Sequence, residues 1–168
     1  MRMTVVNSVR LFLLGLWLGA ALFFSVVVAP SVFSVLRSFH PPNANEIAGT
    51  IVTRTLSVIS VGGFLIGLLA LAAVLIFKRN VGRGWFGVEV LSLMLLVITT
   101  AVGQWVIAAR MLALRAAMEL PIDQVAAGDP RRIAFNSLHH YSVASLGVAI
   151  IAGLTAFTVI AYRARENS

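Results

Sequence analysis

A chain of 168 residues that is 60% hydrophobic and 11% charged is too apolar for a soluble core alone and too short for several domains. Its formal charge of +7 sits mainly beside apolar runs, as in membrane helices, and no basic stripe with interleaved aromatics marks a nucleic-acid surface. The lack of cysteine excludes disulfides, thiolate-held iron–sulfur clusters and a cysteine nucleophile.

Four apolar runs, Leu11–Ala29, Leu56–Phe77, Phe86–Ala109 and Val143–Tyr162, each match the roughly 20 residues that a helix needs to cross hydrocarbon. Only Glu89 brings a charge into their edges. The expected fold is all-α, a single integral membrane four-helix bundle over 1–168, with helices at about 9–36, 44–77, 85–119 and 130–163.

The first run follows Arg2 and Arg10 and could be taken for a secretory leader with Val27-Val28-Ala29 at its end. It is long enough to span, and Pro30 would occupy the first position after cleavage, so a retained helix is expected. Pro30 should kink or end that helix before Val32-Phe33-Ser34-Val35-Leu36. Asn43 and Glu46 have the spacing of a capping box, which starts the second helix near Ala44. The third helix can continue from Trp105 through Met118 on strong helix formers. Asp129-Pro130 reads as an N-cap followed by proline at the first helical position, which starts the fourth helix well before its apolar part. The bundle is therefore expected to extend beyond the bilayer on the side away from the termini, where the outer turns of the second and fourth helices should pack on one another.

An even number of spans puts both termini on one side with Lys78–Gly84. That face carries Arg2, Arg10, Lys78, Arg79, Arg83, Arg163 and Arg165, whereas the opposite face carries Arg37, Arg54, Arg110, Arg115, Arg131 and Arg132. Charges in a very short loop at helix ends weigh most, so the termini are expected in the cytoplasm and the protein in the cell (inner) membrane. Gly15 and Gly19, Gly63 and Gly67, and Ala149 and Gly153 form small-xxx-small pairs. These suit packing within the bundle first and a homo-oligomer second.

About 20 residues outward from the inner helix ends, four helices bring polar groups to one level: Arg54 and Ser57, Gln104 and Trp105, His139 and Ser142, beside Pro30. Phe135, His139, Ser142 and Leu146 share one helical face, and Gln104, Ala108, Met111, Arg115 and Glu119 share another, with Arg115 and Glu119 able to pair. The candidate polar cluster is Arg54, Gln104, Arg115, Glu119, His139 and Ser142.

Trp17, the stretch from Phe23-Phe24 to Pro30-x-x-Phe33, the segment from Gln104-Trp105 to Arg115-x-x-Met118, and Phe135-x-x-x-His139-x-x-Ser142 together resemble the transmembrane-protein-205-like family. Bacterial members of that family are catalogued as a domain of unknown function. The resemblance implies a four-helix multi-pass membrane protein whose eukaryotic relatives are associated with drug and metal resistance, and it implies no established reaction.

A histidine at the start of an apolar stretch more often sits in the interface than binds a metal. His139 nevertheless remains the candidate ligand for haem or copper, with Met111 and Met118 as soft donors if they face it. Arg54 can snorkel to headgroups or hold an anion. Trp105 and Tyr141 on one side, with Trp85 and Tyr162 on the other, read as interfacial belts. Glu89 is expected to pair with Arg83 or Lys78. No serine elbow, H-E-x-x-H helix, phosphate-cradling glycine loop or paired carboxylates occur. The leading expectation is a non-enzymatic membrane protein whose outer polar layer binds a small ligand, lipid headgroup or partner helix, with no cofactor. A haem- or metal-handling protein is the alternative. A small transport component is set back by the lack of paired buried charges and of broken helices at matching positions.

Overall fold

The computed structural model describes residues 2–77 and 83–166, which form four helices and no strand. Helix α1 covers residues 2–39 as Arg2–Phe23, a π-helical segment Phe24–Val28, and Ala29–Phe39. Helix α2 is Ala44–Ile76. Helix α3 covers residues 83–117 as Arg83–Ala101, a π-helical segment Val102–Ile107, and Ala108–Ala117. Helix α4 is Pro130–Glu166. The basic turn at Lys78 and Arg79 lies outside the described residues.

All four helices are long and apolar enough to cross a membrane, over 35, 33, 34 and 36 residues. Each exceeds the roughly 20 residues of a span, and in α2, α3 and α4 most of the polar surplus lies at the end away from the termini. Large apolar side chains such as Phe12, Leu16, Val58, Leu91 and Ile151 are exposed on the outside of the bundle. Outside a membrane so much bare hydrocarbon would drive aggregation; inside one it is the lipid-facing surface.

Lipid tails are as apolar as leucine, so close fit rather than dehydration must hold the helices together. Trp17 of α1 supplies much of that fit. Its indole is 4% exposed, and it lies so close to Gly63 of α2 and Gly153 of α4 that a Cβ on either would come within 2.7 and 2.8 Å of the ring. The indole Nε1 donates to the Ile59 carbonyl at 2.9 Å, which satisfies the one polar group of the ring. Gly67 lets Val97 of α3 approach in the same way. These small residues thus serve packing inside the chain, whereas Gly19 faces open space. Around Trp17 the core is built from Leu14, Leu18 and Ala21 of α1, Ala70 and Val74 of α2, Leu93 and Leu96 of α3, and Ala152, Ala156 and Ile160 of α4.

At the terminal end of this core Glu89 of α3 is 1% exposed and pairs with two arginines, Arg10 of α1 and Arg163 of α4. These pairs join separate helices; the expected pairing with Arg83 or Lys78 falls on side chains outside the described residues. Glu89 points into the bundle, where the partners available are those carried by α1 and α4. Arg10 Nη1 also donates to Asn7 Oδ1 at 3.3 Å. The structure therefore does contain paired buried charges, contrary to the sequence expectation.

Pro30 does not end α1. The helix continues to Phe39, and the proline sits in the first turn after the π-helical segment. The ring lacks an N–H and crowds the carbonyl four residues back, and the wider π turn just before it, with Ala29 N–H bonding to the Phe24 carbonyl, gives the chain room to continue. The helix then stops at His40, whose left-handed backbone (φ 49°) closes the last turn.

Beyond the core the four helices separate into two pairs. The outer arm of α1 (Ala29–Phe39) packs on α2, and the outer arm of α3 (Ala108–Ala117) packs on α4. Helices α2 and α4 scarcely touch. The expected packing of their outer turns on each other is thus corrected: between them lies a cavity.

Candidate functional site

The cavity has a volume of about 620 Å³ and opens between the two outer pairs. Its walls are assembled from helical faces of the expected periodicity. Helix α4 contributes Phe135, His139, Ser142 and Leu146, and α3 contributes Gln104, Ala108, Met111 and Arg115. Helix α2 adds Arg54, Ser57 and Ser60. Of the six candidate residues, Arg54, Gln104, Arg115, His139 and Ser142 line this space; Glu119 does not. The reason is local. Helix α3 ends at Ala117 and Glu119 takes a left-handed backbone (φ 58°), which carries it off the face shared with Arg115.

Arg115 pairs with Glu46 of α2 instead, its Nε donating to Glu46 Oε1 at 2.8 Å. The other carboxylate oxygen of Glu46 accepts the Ile122 N–H at 3.0 Å. The capping box expected at the start of α2 is also rearranged. Asn43 makes no side-chain cap, and Glu46 is committed to Arg115. The cap comes from across the chain: Asp123 accepts the Glu46 N–H through Oδ2 at 3.1 Å and the Asn45 side-chain amide through Oδ1 at 2.6 Å. A free helix N-terminus carries unpaired N–H groups and the positive end of the helix dipole, and a carboxylate from a nearby loop satisfies both. Gln124 adds a bond from its amide to Asn43 Oδ1 at 3.1 Å. The loop between α3 and α4 is thereby strapped over α2, which spans the mouth of the cavity. Glu46 and Asp123 were missed as site residues because helical spacing relates positions within one element, and this strap joins positions 77 residues apart.

The start of α4 follows the sequence reading. Asp129 Oδ1 accepts the Arg131 N–H at 2.8 Å, and both carboxylate oxygens receive the Arg131 guanidinium. That hydrogen-bonded cation lowers the Asp129 carboxyl from 3.8 to about 2.

Deeper in, the wall is lined by hydroxyl and amide groups. Gln104 Nε2 donates to Ser57 Oγ at 2.8 Å, which ties α3 to α2. Ser145 Oγ donates to the Thr99 carbonyl at 2.9 Å, which ties α4 to α3. Gln104 lies in the second π-helical segment, in which the Ala108 N–H reaches back five residues to the Gly103 carbonyl. Such a segment inserts one extra residue into the helical turn and shifts the direction of the side chains that follow, and π segments concentrate at functional sites. Trp105 of the same segment lies outside the cavity wall, edge-on to Phe64 with ring centroids 4.8 Å apart. Near the opposite end of the bundle Trp85 and Tyr162 stand 5.3 Å apart.

For metal chemistry the wall offers His139 and Met111, while Met118 is buried elsewhere. His140 does not line the cavity; its ring centroid is 6.3 Å from that of His139. Among the described residues no three His, Asp or Glu side chains converge as a metal-binding group.

A family model catalogued as a domain of unknown function, DUF4149, matches residues 12–119. The match covers more than half of the chain, and the protein belongs to that family. It includes α2, α3 and most of α1, with Glu46, Arg54, Gln104 and Arg115, and leaves α4 with His139 and Ser142 outside. Searches of curated proteins and of solved structures found no match.

Proposed function

We propose that this DUF4149 protein is a non-enzymatic protein of the cell membrane that binds a small ligand or lipid headgroup in the cavity between its outer helix pairs. The observation that supports this reading is the gathering of polar groups from three helices on the wall of one largely apolar space, at a level where each polar group costs stability unless something satisfies it. Its volume of about 620 Å³ lies within the range of small-molecule sites, roughly 300–1,000 Å³. A partner helix about 10 Å wide needs about 420 Å³ for each turn, so the space suits a compact ligand better than a docked helix. The two carboxylates on the wall are engaged in bonds to Arg115, Asn45 and backbone N–H groups.

The narrower resemblance to the transmembrane-protein-205-like family belongs to this proposal, as does its association with drug and metal resistance, which fits a protein that holds small molecules. Ser142 tests the cavity directly, since it lines the space. Wild-type protein extracted in mild detergent should carry a bound molecule in native mass spectra, and Ser142→Trp, which fills the space, should lose it. Equal occupancy in both would refute the reading.

A second reading, a small transport component, gains from two observations. The buried Arg10–Glu89–Arg163 group supplies charge inside the bundle, and α1 and α3 are each interrupted by a π segment, after 22 and 19 residues. Ligand-dependent flux in proteoliposomes would favour it over simple binding.

The orientation is part of the same proposal: termini in the cytoplasm, cavity outside. Cysteines placed at Asn80 and Gln124 in this cysteine-free chain should label from opposite sides, with Gln124 open to an impermeant reagent in intact cells. Labelling of Asn80 instead would reverse the topology.

A further inference from the structure

We infer that the cavity selects an amphiphile with a singly charged anionic head, a phosphate or carboxylate, whose charge is held by Arg54. This rests on the cavity being a ligand site and adds the class of ligand.

The argument is a balance of charge and of hydrogen-bonding capacity around the wall. The residues that carry full charge there are Glu46 and Asp123 on one side and Arg54, Arg115 and Arg132 on the other. Every carboxylate oxygen is already engaged. Glu46 holds Arg115 and the Ile122 N–H, and Asp123 holds the Glu46 N–H and the Asn45 amide. A cationic ligand would meet carboxylate oxygens that each already accept a hydrogen bond. The guanidinium groups are in the opposite condition. Arg115 is matched by Glu46, but Arg132 bonds through Nη1 only to the backbone carbonyl of Val125, and Arg54 has no hydrogen-bond or ion-pair partner among the described residues. A guanidinium has five donors in a planar fork that fits two oxygens of one carboxylate or phosphate. One anionic head therefore cancels the single surplus positive charge of the wall.

The rest of the lining describes the rest of the ligand. Phe33, Leu56, Leu146 and Ala149 give it apolar surface, and Ser60 and Ser142 give it hydroxyls that can donate to or accept from a linkage such as an ester. Phe33 comes from the outer arm of α1 that Pro30 leaves unbroken, so the continuation of that helix supplies part of the apolar wall.

The test uses the full chain in neutral detergent and isothermal titration with four probes: dodecyl phosphate, dodecanoate, inorganic phosphate and dodecyltrimethylammonium. Dodecyl phosphate and dodecanoate should bind saturably, and the cationic amphiphile should neither bind nor compete. Arg54→Gln, a change at an exposed residue without partners, should weaken dodecyl phosphate at least about tenfold while the protein elutes unchanged from size exclusion. Inorganic phosphate binding as tightly as dodecyl phosphate would support the anionic site and make its source an aqueous anion. Binding of the alkyl probes alone would make the source a lipid. Should the cationic amphiphile bind equally well, or Arg54→Gln leave affinity unchanged while Ser142→Trp removes it, the cavity is a site and the anionic assignment is wrong. Loss of no signal in Ser142→Trp would overturn the site and the assignment together.

Discussion

The two ends of this bundle use the same chemistry, an arginine beside a carboxylate, in opposite settings. At the terminal end Glu89 is sealed among three helices with Arg10 and Arg163. At the other end Glu46 and Arg115 are part-exposed at the mouth of a cavity. A buried charge is expensive to strand, whereas an exposed pair exchanges one set of bonds for bonds to water at little net cost. The sealed end is where charged side chains tie three helices together, and the open end is where the helices part around the cavity. Arg10 Nε is buried without a hydrogen-bond partner among the described residues, which adds to the cost of keeping charge at that end.

The comparison breaks first at Glu89. Replacing it by Gln removes the buried carboxylate that Arg10 and Arg163 share, and the folded protein should lose about 3–5 kcal/mol, read as a fall in the thermal midpoint in detergent. If Glu89→Gln is no worse than Glu46→Gln, the sealed end is not sealed. Next comes the Trp17 contact. Gly63→Leu forces a side chain into the indole at a site where the Cβ alone already collides, and should cost about 1–3 kcal/mol. The same substitution at Gly19, which faces open space, should leave the midpoint unchanged.

At the open end the expected effects are smaller. Asp123→Asn weakens a cap supplied across the chain and should cost about 1 kcal/mol. Its sharper signature is faster proteolysis within 118–129 with the core intact, and a protease pattern like that of the wild type would argue against the strap. The smallest effect is the pH response of Asp129. Its carboxyl is lower in the folded chain (about 2) than its ordinary value of 3.8. The cap's contribution is therefore complete above about pH 4 and fades as the pH falls toward 2. The difference in thermal midpoint between wild type and Asp129→Asn should shrink over that window, and a constant difference would show that the carboxylate charge plays no part.

The amino-acid order alone determined whatever depends on neighbours within one helix. The apolar runs demanded spanning helices, Asp129-Pro130 set the start of α4, and the 4-3-4 spacing of Phe135, His139, Ser142 and Leu146 placed those residues on one face, because 3.6 residues per turn is a property of the backbone. The tertiary structure decided everything that depends on which helix lies across from which. It brought Arg10 and Arg163, from two other helices, to Glu89, and chose Glu46 over Glu119 as the partner of Arg115 and Asp123 over Asn43 as the cap of α2. It also decided that α1 would pass Pro30 through a π turn, and that the outer turns of α2 and α4 would part rather than pack. Helical periodicity says which way a side chain faces; only the packing of the four helices around Trp17 and the glycines says what it meets there.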